Sequence, residues 1–163
     1  MQERLTRSIV LFGDITTEDT LLWRRFYEYS TGVFCNLNLD VNYLGVTGGP
    51  FKSSKILRLK NAKNRLVSAF EQGAEFKSLE LYSLPDDYQV AAYDYKVYVS
   101  RTIYDDGANI LVSVSNDYFD QLDLQQIAID MKQFIHVECG QIFEMSNIES
   151  PQLYAAVAKS GRS

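Results

Sequence analysis

Two alternating runs, YDYKVYVSRTIY at residues 93–104 and NILVSVS at 109–115, flank Asp105, Asp106 and Gly107. An Asp-Gly pair between period-two runs is the strongest short-range hairpin signal, because glycine readily reaches the positive φ that a tight turn demands. The middle of the chain is thereby committed to a sheet. In the first run Tyr93, Tyr95, Val97, Val99 and Ile103 share one face, while Asp94, Lys96, Tyr98, Ser100, Thr102 and Tyr104 share the other. In the second, Ile110, Val112 and Val114 oppose Ser113 and Ser115. Alternation of this kind predicts one core face and one solvated face rich in Tyr, Ser and Thr, bordered by aspartate.

The flanking segments supply strands and helices around that hairpin. RSIVLFG, residues 7–13, reads as a buried strand. A helix capped by Thr16 or Thr17, with Glu18 and Asp19 in its first turn, is predicted to about Ser30, with Leu21, Leu22, Phe26 and Tyr29 inward. Residues 33–46 alternate and predict an extended segment, followed by a turn at Gly48, Gly49 and Pro50. From Ser53 or Ser54 a second helix places Ile56, Leu59, Ala62, Leu66, Ala69 and Phe70 on one face and closes at Gly73. FKSLELYSLP is the next strand. Asp123 caps a helix burying Leu124, Ile127, Ala128, Met131 and Ile135, with Gly140 at its exit. QIFEMS makes a last strand, and Ser150 with Pro151 opens a short helix through Ala158.

The order βαβαβββαβα predicts an α/β (α+β) fold. Its sheet is mixed and mostly antiparallel, with a central β-meander and helices packed on one face. At 163 residues, one domain spanning 1–163 buries roughly 70% of its unfolded surface and needs no metal or disulfide staple. The apolar run near the N-terminus is too short for a secretory core or a membrane span, and Cys35 and Cys139 lack CxxC spacing. A cytoplasmic protein with free thiols, not bound to membrane, is the expectation.

Motifs for chemistry fare poorly. GVTGGPFKSSK, residues 45–55, is glycine-rich, but a phosphate loop requires GxxxxGK[ST] and here the second glycine position is Pro50, which has no amide to donate. What remains of a nucleotide or small-molecule enzyme is a site near the Gly48–Lys52 turn, using Lys52 with Ser53 or Ser54. Lys55, Arg58, Lys60, Lys63 and Arg65 spread around the polar faces of their helix and read as a solvated face, not as a nucleic-acid stripe. His136 and Cys139, expected at a helix end with Asp130 behind them, read as packing and edge residues rather than a nucleophile and base. One histidine and two distant cysteines make no zinc set. No catalytic residue, metal or cofactor is therefore assigned.

The charge distribution is more informative. Residues 1–82 hold eleven Lys/Arg against nine Asp/Glu, whereas residues 83–163 hold five against twelve. Between 85 and 123 eight Asp face only Lys96 and Arg101. Such a field repels nucleic acid and attracts a basic partner. Aromatics lie beside these acids, and tyrosine offers a large, rigid contact with a hydroxyl to bond. The candidate partner-binding residues are accordingly Asp86, Asp87, Tyr88, Asp94, Tyr98, Tyr104, Asp105, Asp106, Asp117, Tyr118, Phe119 and Asp120.

In this character, carried by SLPDDY, YDDGANI and SNDYFD, the chain resembles the immunity proteins of bacterial polymorphic toxin systems, including those of type VI secretion and contact-dependent inhibition. The resemblance implies a compact acidic protein that occludes the basic active site of a cognate toxin working in the cytosol. The alternatives are the enzyme at the Gly48–Lys52 turn and a homodimer that buries its tyrosine face against a second copy.

Overall fold

The computed structural model describes residues 3–15, 19–53 and 55–160. In chain order the elements are β1 (Leu5–Asp14), α1 (Thr20–Asn36), β2 (Tyr43–Gly48), β3 (Leu57–Arg58), α2 (Leu59–Glu71), β4 (Phe76–Ser83), the single turn α3 (Ala91–Asp94), β5 (Val97–Tyr104), β6 (Gly107–Ser115), α4 (Leu124–Met131), β7 (His136–Ser146) and α5 (Pro151–Ser160). Short 3-10 segments occupy Asn116–Gln121 and Lys132–Phe134. The strands form one sheet in the order β3-β2-β4-β5-β6-β1-β7. Every pairing is antiparallel, so the expected mixed sheet is an antiparallel one and the class is α+β.

The predicted hairpin is present, with Val97 opposite Val114 and Tyr104 opposite Gly107, whose φ of 140° supplies the turn. On one face of the sheet, Ile9, Leu11, Leu79, Val97, Val99 and Val112 pack beneath Trp23, Phe26 and Phe34 of α1, Leu66 of α2 and Ile127 of α4. The other face is also buried. There Val10, Phe12, Tyr82, Tyr98, Leu111 and Phe143 pack with Ala155 of α5. Helices therefore cover both faces, and the expectation of helices on one face alone is corrected.

The helix boundaries show why local pattern falls short. The Thr16 or Thr17 cap lies outside the described residues; the side chain that caps α1 is Asp19, accepting from the Leu22 amide at 3.2 Å. The helix runs beyond Ser30 to Asn36, because Val33 and Phe34 extend the buried stripe another turn. It stops where Asn38 enters the left-handed region at φ 56°. Residues 33–36, expected to be extended, are thus helical. Trp23, not Leu21, points inward, and Leu21 is 58% exposed.

Likewise α2 starts at Leu59 instead of Ser53 or Ser54, after β3 has added an edge strand to β2. β7 begins at His136, five residues ahead of QIFEMS, so His136 and Cys139 lie on a strand and not at a helix end.

One core position breaks the alternation rule. Arg101 on β5 is buried beside Val99, its Nε and Nη2 donating to the Phe134 carbonyl at 2.9 and 2.7 Å, its guanidinium 4.3 Å from the Trp23 ring centre. Burial lowers its pKa to about 10. The cation ties β5 to α1 and to the turn before β7.

Candidate functional site

The antiparallel register sorts the candidate residues by the end of the sheet at which they emerge. β5 begins where β6 ends, and the Ser115 amide donates to the Lys96 carbonyl at 2.9 Å. The loop before β5 and the 3-10 segment after β6 therefore leave the same end. Asp86, Asp87, Tyr88 and Asp94 come from the first; Asp117, Tyr118, Phe119 and Asp120 come from the second. Tyr104, Asp105 and Asp106 sit at the hairpin tip, roughly 25 Å away along an eight-residue strand. The twelve candidates thus make one main cluster at a single end of the sheet, with Tyr88 packed on one face and Tyr118 on the other, one remote tip and one residue between.

Within the main cluster the backbone is tightly organised. The Tyr88 amide closes a turn on the Pro85 carbonyl at 3.1 Å, which leaves Asp86 and Asp87 exposed. Asp94 Oδ2 accepts from the Gln89 and Val90 amides at 2.7 and 2.9 Å, holding the loop against α3. Tyr88 packs edge-on to Tyr43 at 5.0 Å, so its ring braces the loop. A cleft of about 390 Å³ opens between the two segments, lined by Glu3, Asp94 and Asp117 together with Arg4, Lys96 and Ser115. The Arg4 guanidinium is turned to the Tyr93 and Tyr95 carbonyls.

The second half of the cluster borders a larger groove of about 600 Å³. Its floor is Arg7 on β1 and Ile142 on β7; its wall runs from Asp120 through Gln125. Phe119 lies against the Arg7 guanidinium at 4.4 Å, and Arg7 pairs with Glu144 at 2.7 Å. Tyr118 packs on the helix-side core. The edge location of this groove was invisible to sequence reasoning, since it depends on β7 pairing with β1, more than a hundred residues earlier.

Tyr98 is the clear departure. The face expected to be a tyrosine surface is covered by α5, leaving Tyr98 3% exposed and Ser100 and Ser113 fully buried. Gln152 of α5 donates to the Tyr98 hydroxyl at 3.2 Å and to Ser100 Oγ at 2.8 Å, and accepts from the Tyr104 hydroxyl at 2.6 Å. A buried polar face is stable only when its groups are bonded, and Gln152 satisfies Tyr98 and Ser100 at once while holding the exposed Tyr104. Tyr154 stacks on Phe143 at 4.4 Å beside this latch. Tyr98 therefore organises the interior of the sheet and is not open to a partner.

Next to it, Glu80 accepts from the Tyr82 hydroxyl at 2.7 Å, and burial holds its carboxyl above the ordinary 4.5. Because the folded chain holds this proton more tightly than the unfolded chain does, the stabilisation is complete below pH 4.5 and is lost as pH rises through the folded value. Glu80→Gln is expected to gain melting temperature relative to the parent as pH is raised from the acidic to the neutral range. Paired thermal melts would test this, and a difference that stays flat with pH would assign Glu80 no such cost.

The glycine turn has its own explanation. Gly48 and Phe51 exchange both main-chain hydrogen bonds, at 3.1 and 3.0 Å, and Phe51 is buried beneath Arg65. A Cβ at Gly48 would come within 2.5 Å of the Glu75 carbonyl oxygen, and its φ of 101° suits glycine alone. No helix N-terminus follows at Lys52 and Ser53, which removes the amide cradle on which a phosphate site depended. Among the described residues no group of three metal-ligating side chains occurs, and no helix is long and apolar enough to cross a membrane.

No protein-family model matches the chain, and no curated protein matches it. Its fold is similar to that of Pseudomonas aeruginosa T6SS protein PA0821, with 12% identity and a TM-score of 0.59 over 91% of this chain. The match spans 42% of that protein's chain, less than half its length. The chain also matches a crystal structure of the toxic C-terminal tip of CdiA from Pseudomonas aeruginosa in complex with immune protein, at 14% identity and a TM-score of 0.40, covering 86% of both chains. At 12% identity the likeness to the T6SS protein concerns the fold.

Proposed function

We propose that this chain is a protein-binding inhibitor, an immunity protein that neutralises a toxin by covering the toxin's basic active site. The observation that carries this reading is the gathering of Asp86, Asp87, Asp94, Asp117 and Asp120 at one end of the sheet, from two segments that the register brings together. Tyr88 and Phe119 stand beside them as partly buried aromatics able to exclude water from a contact. Aspartates on a rigid sheet end steer a cationic surface into register and then meet its Lys and Arg directly. The fold shared with a T6SS protein supports the setting of toxin delivery between bacteria. Free Cys35 and Cys139 suit action in a reducing cytosol.

Immobilised protein exposed to its host's lysate at low salt, then eluted on a salt gradient, should retain one stoichiometric basic partner. The association rate of that purified partner should fall steeply as salt is raised. An on-rate unchanged by salt would sink the acidic-surface mechanism.

A further inference from the structure

Among the described residues, β7 lies at the edge of the sheet, paired with β1 on one side only. The direction of its free groups follows from the register. The Asn147 amide donates to the Arg4 carbonyl at 2.9 Å, which makes Arg4 and Asn147 a hydrogen-bonded pair. Alternation along an antiparallel ladder then turns the main-chain groups of Met145 and Phe143 toward β1, and those of Glu144 and Ile142 toward the free edge. The Met145 carbonyl, accepting from Thr6 Oγ1 at 3.1 Å, agrees with this phase.

Beside that edge runs the groove of about 600 Å³ described above. Ile142 at its floor is 47% exposed, and half-buried Leu122 adds apolar surface to its wall. Asp120 and Asp123 supply charge, whereas Arg7, the cation among the lining residues, is already engaged by Glu144 and Phe119. A strand laid along β7 would bond Ile142 and Glu144 and send alternate side chains to the groove side. Two copies of this chain joined edge to edge would instead bring like-charged rims together.

Building on the inhibitor reading, we propose that the Ile142–Glu144 edge of β7 accepts an extended segment of the partner, alternating Lys or Arg with apolar residues, as an added strand. The probe is a ten-residue synthetic peptide alternating Lys with Val and Thr, compared with a counterpart carrying Glu in place of Lys. The full chain is titrated by fluorescence anisotropy and its amide hydrogen exchange is followed by NMR. Expected is binding of the Lys peptide alone, weakened about tenfold or more by salt, with exchange at the Ile142 and Glu144 amides slowed about tenfold or more on saturation.

Ile142→Pro removes an outward donor only, a change edge strands tolerate, and should abolish the binding. Asp120→Lys, on the exposed rim, should weaken it about threefold to tenfold even if the proline variant fails to fold. Salt-sensitive binding that leaves both amides exchanging freely would overturn the added strand while the acidic-surface reading stands. Failure of the Lys peptide to bind, or equal binding of the Glu peptide, would also overturn it; the acidic surface is judged separately by the salt dependence of the natural partner's on-rate. Protection of both amides in the protein alone, growing with its concentration, would assign the edge to a second copy and overturn it as well.

Discussion

Asp117→Lys combined with Asp120→Lys is expected to slow association with the proposed basic partner by about tenfold to a hundredfold at low ionic strength, with the difference shrinking as salt is added. Both side chains are exposed on the 3-10 segment after β6, one at the cleft and the other at the groove. Reversing them inverts the local field at the end of the sheet where the acids converge. Because neither residue is buried, stability should stay within about 0.5 kcal/mol of the parent. The informative comparison is Asp105→Lys with Asp106→Lys at the opposite end of β5. Stopped-flow rates for the two pairs, with melting temperatures alongside, identify the end that meets the partner. A larger loss at the hairpin tip would move the contact there, and equal, small losses would remove electrostatic steering altogether.

Trp23→Ala is expected to cost about 3–5 kcal/mol. The indole is fully buried, 5.7 Å from the Phe76 ring centre, and it covers the Arg101 guanidinium. Its removal leaves a cavity beside a buried cation, so the transfer loss is compounded by poorer shielding of the charge. Leu21→Ala, two positions earlier and 58% exposed, should change stability by no more than about 0.5 kcal/mol. Urea denaturation midpoints for the two variants decide the matter. Comparable losses would mean that α1 presents a different face to the sheet.

How far the sequence could be read is clearest along β5. Period two correctly placed Val97 and Val99 on a core face, and the Asp-Gly pair correctly set the turn, because both signals arise from neighbouring residues. The same pattern assigned Tyr98 and Ser100 to solvent, since alternation says which residues share a face and nothing about what covers it. The cover is Gln152 on α5, 54 residues beyond Tyr98. Arg101 carried a usable signal: a cation in register with Val97 and Val99 must be bonded inside or excluded from the core. In α1, Val33 and Phe34 continued the buried stripe past Ser30, although they also fitted the start of an alternating segment.

The acidic aromatic segments were legible as sequence. Their grouping was not. Adjacent Asp in turns are exposed wherever those turns fall, so composition could not separate the cluster before β5 and after β6 from the tip at Asp105 and Asp106.

The sequence by itself determined the central hairpin, most of the principal strands and helices, the α+β class and the acidity of the second half, all properties of short spans or of simple charge counts. Tertiary structure alone decided that the sheet is buried on both faces, that Tyr98 belongs to its interior, and that β7 is left open beside a groove. The physical reason is that backbone pattern follows interactions a few residues apart, whereas coverage and edge position follow contacts as distant as Arg4 with Asn147, 143 residues apart. Such contacts form because apolar faces must find cover, and the cover lies elsewhere in the chain.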